Sequence, residues 1–334
     1  MTAPRPRALL AMSADAAQTV FDDSRLTRLA DLSDLASTSP VDIDAISDAE
    51  LADIEVLITS WGAPTLDARR MARLPKLRAV FHAAGSVREI VTDAFWDRGA
   101  LITSAADANA VPVAEFTFAA IVFAGKRAFV HLRTSTEQRA QRGLLDYTAT
   151  GNVDRTIGLV GFSRIGRRVA EMLRMLDVRV LVADPFADAD AVAAAGAELV
   201  PLEELLPQVD VLSLHAPDLP STRHMIGESE LAALPDGATV INTARGRILD
   251  HDALLAECSA GRLDAVLDVT DPEPLPADSE LYRLPNVAIT PHIAGSLGTE
   301  LRRLADSALD ELELYAQGAA PRHPITAADM ARSA

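Results

Sequence analysis

The sequence predicts an α/β protein of two domains, and three observations carry that reading. Short β-branched runs alternate with longer segments of helical period. A length of 334 residues corresponds to two domains at roughly 150 residues each. Hydrophobic residues make up 49 % and charged residues 24 %, a globular rather than disordered composition. Aromatic residues are only 4 %, so Ala, Val, Leu and Ile must build the core.

In the first third, strands are predicted at 7–12, 55–59, 78–81 and 100–103, each followed by a polar or helix-patterned stretch, which fits a small parallel sheet. A long helix is predicted from Val111 to about Arg133, with Asn109 as its cap and Pro112 in its first turn. Residues 134–154 are polar, contain Gly143 and Gly151, and read as a linker or arm. A second α/β series follows, with strands predicted at 156–160, 179–182, 211–214, 238–242, 263–267 and 287–290. The segment 297–317 carries Leu301, Leu304, Leu309 and Leu312 and predicts an amphipathic helix returning to the first domain.

Composition also narrows the function. With 48 acidic against 31 basic residues, the net charge of −17 repels phosphate backbones and anionic lipid, so neither a nucleic acid nor a membrane is an expected partner. An anionic ligand must therefore meet a local positive site. The one cysteine, Cys258, reads as a packing residue, and a cytoplasmic location is expected. The apolar stretch 8–12 is interrupted by Asp15, too soon for a signal peptide, and the uncharged run 116–125 is short of the ~20 residues of a spanning helix. The seven histidines include no i,i+4 pair, and no metal is expected.

The segment from Thr156 to Val169 passes from an apolar strand directly into a helix, the context a dinucleotide fingerprint requires. Gly161 suits the tight turn and Gly166 the close helix–sheet packing, while Arg164 and Ile165 open the helix whose backbone N–H groups would meet a diphosphate. Ser163 stands where a bare backbone normally approaches the phosphates. Either the diphosphate sits slightly further off or the hydroxyl donates to it. Eighteen residues after Gly166, Asp184 ends the next strand, where a carboxylate accepts hydrogen bonds from a ribose 2′-hydroxyl and repels a 2′-phosphate. NAD is thus expected over NADP.

Further strings follow in order: His215, Ala216 and Pro217; Asn242, Thr243, Ala244, Arg245 and Gly246; Leu267, Asp268 and Val269; Glu273 and Pro274; Thr290, Pro291, His292, Ile293, Ala294 and Gly295. On these the chain, from about residue 78 to 295, resembles the D-isomer-specific 2-hydroxyacid dehydrogenases, a family that includes D-lactate, D-glycerate and D-3-phosphoglycerate dehydrogenases. The resemblance implies a Rossmann-type cofactor domain (109–295) inserted into a flavodoxin-like substrate domain (1–108 plus 296–334), and a homodimer joined through the cofactor domain.

It also implies a catalytic trio of Arg245, Glu273 and His292. Guanidinium suits the carboxylate of a small 2-hydroxy or 2-keto acid through its planar fork. Imidazole suits proton transfer at the C2 oxygen, with the Glu273 carboxylate holding its tautomer. Asp268 resembles the position that bonds the nicotinamide carboxamide, although a buried strand-end aspartate is equally at home as a turn residue. His215, Ala216, Pro217, Thr243, Ala244, His292 and Gly295 resemble the loops that line the cofactor. The family's substrate-carboxylate loop corresponds to Ala84, Gly85, Ser86, Val87 and Arg88, one residue shorter and with Arg88 in place of an aspartate. Arg88 reads either as a ligand for a second anionic group or as a surface arginine paired with Glu89 or Asp93.

Three alternatives stay open at this point: a glyoxylate or hydroxypyruvate reductase, a formate or phosphite dehydrogenase relative, and an NAD(H)-sensing binding protein similar to the C-terminal-binding co-repressors. The reading of Asp184 has a direct consequence. Asp184→Ser should narrow the preference for NAD over NADP, because both the ribose hydrogen bonds and the repulsion of a 2′-phosphate are lost. Comparing kcat/KM for the two cofactors in both proteins measures it, and a wild-type preference for NADP overturns it.

Overall fold

The protein is described here by a computed structural model covering residues 5–139 and 150–331. The chain forms two compact units, Met1–Ala110 with Ser296–Ala334, and Val111–Gly295.

The first unit is built on five parallel strands, β1 (Arg7–Ala11), β2 (Asp34–Leu35), β3 (Val56–Thr59), β4 (Ala79–His82) and β5 (Leu101–Ser104), in the order β2-β1-β3-β4-β5. That is the flavodoxin-like order. The strands are apolar on both faces because both are covered. Leu10, Ile58 and Phe81 point to one side, with Leu304, Ala308 and Leu312 of the helix Leu301–Ala316. Leu9, Leu57 and Val80 point to the other, with Phe95.

The second unit holds seven parallel strands, β6 (Arg155–Val160), β7 (Val178–Ala183), β8 (Glu198–Leu199), β9 (Val211–Leu214), β10 (Thr239–Asn242), β11 (Asp264–Leu267) and β12 (Val287–Ile289). Their order is β12-β11-β10-β9-β6-β7-β8, a Rossmann arrangement whose direction reverses between β6 and β9. Val160 and Val240 enter the core on one face, and Leu159 and Ile241 the core on the other. The helix Arg164–Leu173 buries the stripe Gly166, Val169, Ala170 and Leu173 against the sheet.

The long strands lie within a residue or two of their predicted positions, whereas β2 and β8 were not anticipated. Both are two-residue edge strands without an apolar run, and each is defined by its neighbour, as in the register Arg7↔Asp34. The long central helix departs further from expectation. It spans Ala106–Gly125, so Asn109 and Pro112 lie inside it rather than at its start. Ser104 Oγ accepts the Ala106 N–H, and the Asn109 Oδ1 accepts the N–H of Ser296 instead of capping the helix. A second helix, Ala128–Gln138, begins after Arg127, whose φ of 45° breaks the first. The break follows from a tertiary pair: the Arg127 guanidinium takes both carboxylate oxygens of Asp264, at 2.9 and 3.0 Å. Of the predicted linker 134–154, residues 134–138 are helical and 140–149 lie outside the described residues.

The uncharged run 116–125 lies within the 20-residue helix Ala106–Gly125, which by length and composition alone is long and apolar enough to cross a membrane. An 18-residue stretch of it has a mean hydropathy of 1.5. Half of it is buried inside the protein, as for a core helix.

After the last helix the chain runs back beside β5, where Ile325 N–H bonds to Ile102 O. Glu311, 1 % exposed, fastens this return by accepting the backbone N–H groups of Arg322 and His323. Glu311→Gln should destabilise the first unit by about 1.5–3 kcal/mol, the range for hydrogen bonds to a charged group. Loss of amide-exchange protection at Arg322 and His323, ahead of the rest of the unit, is the corresponding observable.

Candidate active site

The turn after β6 lies at the reversal point of the seven-stranded sheet, where His215 N–H bonds to Val160 O and brings the loop after β9 alongside. Gly161 has a φ of 101°, and a Cβ there would come within 2.8 Å of Ala216 N and His215 C. At Gly166 a Cβ would stand 2.2 Å from Gly161 O, so the helix can approach this closely only as glycine. Ser163 is the N-cap of the helix, with φ −74°, extended backbone open to any residue. Its hydroxyl donates to His215 O at 3.2 Å and so braces the loop from inside.

Asp184, at the end of β7, accepts the N–H of Phe162 on one carboxylate oxygen and of Phe186 on the other, at 2.7 and 2.9 Å. Each oxygen has a lone pair to spare for a ligand hydroxyl. These residues fit NAD: a side-chain-free cradle, a ten-residue helix whose first N–H groups have no intrahelical partner, and a half-buried carboxylate one strand away. His215 is buried and hydrogen-bonded through Nε2 to Ser213 Oγ at 2.9 Å, while its Nδ1 has no partner among the described residues. Burial pushes its pKa down to about 3, so it is a neutral residue of the loop. Thr243 Oγ1 is paired with Thr117 Oγ1 at 2.7 Å. Thr117 gave no signal in the sequence, being a polar residue inside an apolar helix.

Strands β10, β11 and β12 deliver the next group from one end of the sheet. Asn242 pairs with Leu267, and Leu267 with Ile289, so the loops carrying Arg245, Glu273 and His292 start level with one another. Glu273 Oε1 and His292 Nδ1 are 2.5 Å apart. An ionised carboxylate only accepts, so Nδ1 carries the hydrogen and Nε2 is the nitrogen left to exchange a proton. Both side chains are about half exposed, at 51 % for His292 and 41 % for Glu273, and therefore reachable by a small molecule. Arg245 is exposed, with Nη1 donating to Ala244 O.

Three buried groups shape this end of the sheet. The Asn242 side chain accepts Ala244 N–H and donates to Arg245 O, closing the loop that presents Arg245. Gly246 lies against the next loop so closely that a Cβ would stand 2.0 Å from Thr270 O. Asp268, 2 % exposed, accepts from Thr290 Oγ1, Ile293 N and Ala294 N at 2.6, 2.8 and 2.9 Å, and its own carbonyl takes the His292 N–H. His292 is thereby held at a φ of 55°, a conformation that non-glycine residues seldom adopt without such support. Asn242 had no assigned role from sequence, although a buried amide ending an apolar strand is its only local mark. Among the described residues no group of three His, Cys, Asp or Glu side chains is placed to hold a metal.

Residues 119–294 match the family profile described as D-isomer specific 2-hydroxyacid dehydrogenase, NAD binding domain. The chain belongs to the D-isomer-specific 2-hydroxyacid dehydrogenase family. It is 32 % identical to a glyoxylate reductase of Korarchaeum cryptofilum, over 80 % of this chain and 82 % of that protein. It is equally identical to a D-3-phosphoglycerate dehydrogenase of Mycobacterium bovis over 77 % of this chain, but spans only 48 % of that longer protein. The fold is similar to that of a D-lactate dehydrogenase of Aquifex aeolicus solved with NAD and lactic acid, with a TM-score of 0.69, 27 % identity, and coverage of 93 % of this chain and 96 % of the other. As a member of this dehydrogenase family the protein is an NAD-dependent oxidoreductase acting on the CH–OH group of donors.

The role of Asp268 in this dehydrogenase is open to a direct test. Asp268→Asn places an amide N–H₂ against at least one of the donors now bonded to the carboxylate, so the loop bearing His292 must shift. Turnover should fall by about 10², the scale of an ångström-sized misplacement. Retained turnover, with protein stability also unchanged, overturns this role.

Proposed function

We propose that this protein interconverts a small 2-hydroxy acid and its 2-keto acid, with His292 as the acid–base residue, Glu273 as its partner and Arg245 as the substrate anchor. The observation that carries the proposal is the 2.5 Å contact between Glu273 Oε1 and His292 Nδ1, on loops that start level with the one bearing Arg245. When bound, the cofactor would supply hydride chemistry at C2, as acceptor in oxidation and donor in reduction. The guanidinium of Arg245 takes the substrate carboxylate and the C2 oxygen, where negative charge develops during reduction. In oxidation His292 Nε2 removes the hydroxyl proton; in reduction the imidazolium gives it back. Glu273 keeps the ring oriented and Nδ1 protonated throughout.

The backbone amides of Gly85, Ser86 and Val87 serve the substrate carboxylate, and Asp184 takes the adenosine ribose hydroxyls. Contacts to the cofactor from Arg164, Ile165, Ala216, Pro217, Thr243, Ala244 and Gly295 are assigned to the backbone. Asp268 acts through the loop it organises and, with its remaining lone pairs, on the nicotinamide carboxamide. The working form is a cytoplasmic homodimer, a reading supported by half-exposed Phe123 and by Leu132 and Val153, each 67 % exposed, on the second unit.

NADH oxidation with a panel of 2-keto acids tests the activity. His292→Gln should lower turnover on the order of 10²–10⁴ while leaving NADH affinity nearly intact. Loss of NADH binding as large as the loss of turnover makes His292 a cofactor or structural residue instead. A protein that binds NADH but turns over no keto acid moves the sensor reading to the front.

A further inference from the structure

The loop proposed to take the substrate carboxylate departs from the family pattern at Arg88, and the fold spends that side chain on a residue 242 positions away: its Nη2 donates to Met330 O at 2.6 Å. Within the loop the N–H groups of Gly85 and Val87 have no hydrogen-bond partner among the described residues, as a backbone site for an anion requires. Such amides bind well only when the loop is ordered beforehand, because ordering it on binding costs affinity.

Everything that holds this loop belongs to the first unit. Ala84 O accepts the N–H of Ala105, and the buried ring of His82 is bonded to the Ser86 backbone. Ser60 Oγ donates to Ala83 O at 3.0 Å and Thr65 Oγ1 to Glu89 O at 2.7 Å, so the loop that carries Trp61 braces the chain before and after it. Inside the loop, Ser86 Oγ accepts the Arg88 N–H at a long 3.4 Å.

The segment 322–331, on which Arg88 closes, is itself firmly seated. Glu311 takes its first two N–H groups, His323 Nδ1 lies 3.1 Å from Asp107 Oδ2, and Pro324 bridges to Thr103 on β5. Ile325 and Met330 pack on the cluster that contains Val87 and Ile90. Between them the Asp329 carboxylate accepts Thr326 N–H at 2.8 Å and Thr326 Oγ1 at 2.6 Å, closing the turn that leads to Met330. The segment thus shares a core with Val87 and grips the residue after it.

We infer that residues 322–331 form a strap that sets the carboxylate-binding amides through Arg88, which is a positioning residue and not a ligand for a second anion. This rests on the 2-hydroxyacid reading of residues 85–87 and deepens it. The charge-assisted bond to Met330 O fixes the far end of a long side chain and, through it, the backbone at Arg88. Releasing it leaves the amides free to move until a carboxylate orders them, which weakens ground state and transition state alike.

The test measures NADH oxidation with pyruvate and with two doubly anionic acids, oxaloacetate and 3-phosphohydroxypyruvate, together with amide exchange at Ile90 and Val91, whose N–H groups bond to Val87 O. In Arg88→Ala the KM for pyruvate should rise about tenfold with kcat within about twofold, the pattern of a lost uniform binding interaction, and the KM for a doubly anionic acid should rise by the same factor. The KM for NADH should not move. Asp329→Ala, at an exposed position, opens the turn without touching Arg88 and should raise the KM for pyruvate in the same way. Combining the two substitutions should add little, because both cut one tether. Exchange at Ile90 and Val91 should quicken in both variants while β4 stays protected. A KM rise confined to the doubly anionic acids makes Arg88 a ligand and overturns the strap, as does an Asp329→Ala protein in which KM and exchange are both unmoved. Faster exchange in both variants of a protein that turns over no keto acid keeps the strap and removes the 2-hydroxyacid reading.

Discussion

Asp268 is a carboxylate with almost no access to water that takes three hydrogen bonds from the segment 290–294, and its carbonyl takes a fourth from His292. A buried carboxylate is tolerable only when its lone pairs are satisfied. Here the satisfaction is supplied by the loop that must present a histidine in an unfavourable backbone conformation. The position of His292 therefore depends on Asp268, and the contact with Glu273 depends on His292. Arg245 is held by the same logic one strand further in, through the Asn242 amide and the close packing of Gly246 on Thr270.

The parallel sheet makes this convergence possible. In register, β10, β11 and β12 end at one edge, so three segments far apart in sequence leave the core within a few ångströms of each other in height. The reversal between β6 and β9 does the same for the fingerprint turn and the His215 loop, which meet with no room for a side chain at Gly161. In the first unit the pairing of β3 with β4 sets the loop of Trp61 beside the Gly85–Arg88 loop. Each unit uses the same device, and each places its exposed chemistry at the carboxyl edge of its strands.

Charge is handled locally throughout. The chain carries −17 overall, yet two cations have specific placements: Arg88 bonds the C-terminal segment, and Arg245 stays exposed. On the proposed reading, that exposed guanidinium is what an anionic substrate meets in a protein whose net charge repels it.

The sequence alone determined the α/β class, the long strands, the fingerprint turn and the family, because these rest on local pattern: β-branched runs, glycines at fixed spacing, and strings such as Thr290 to Gly295. It left β2 and β8 invisible, because edge strands of two residues are defined by their neighbours. It placed the central helix wrongly, because Asn109 and Pro112 read locally as a start, whereas Ser104 begins the helix and the pair of Arg127 with Asp264 ends it. Asn242 and Thr117 carried no local signal, since a buried polar side chain declares its role only through its partner. The fate of the Ser163 hydroxyl, the engagement of Arg88 by Met330 and the bracing of Trp61 were likewise decided by tertiary structure. Spacing along a chain fixes which residues can form an element, but hydrogen bonds between residues tens to hundreds of positions apart fix where a side chain is spent.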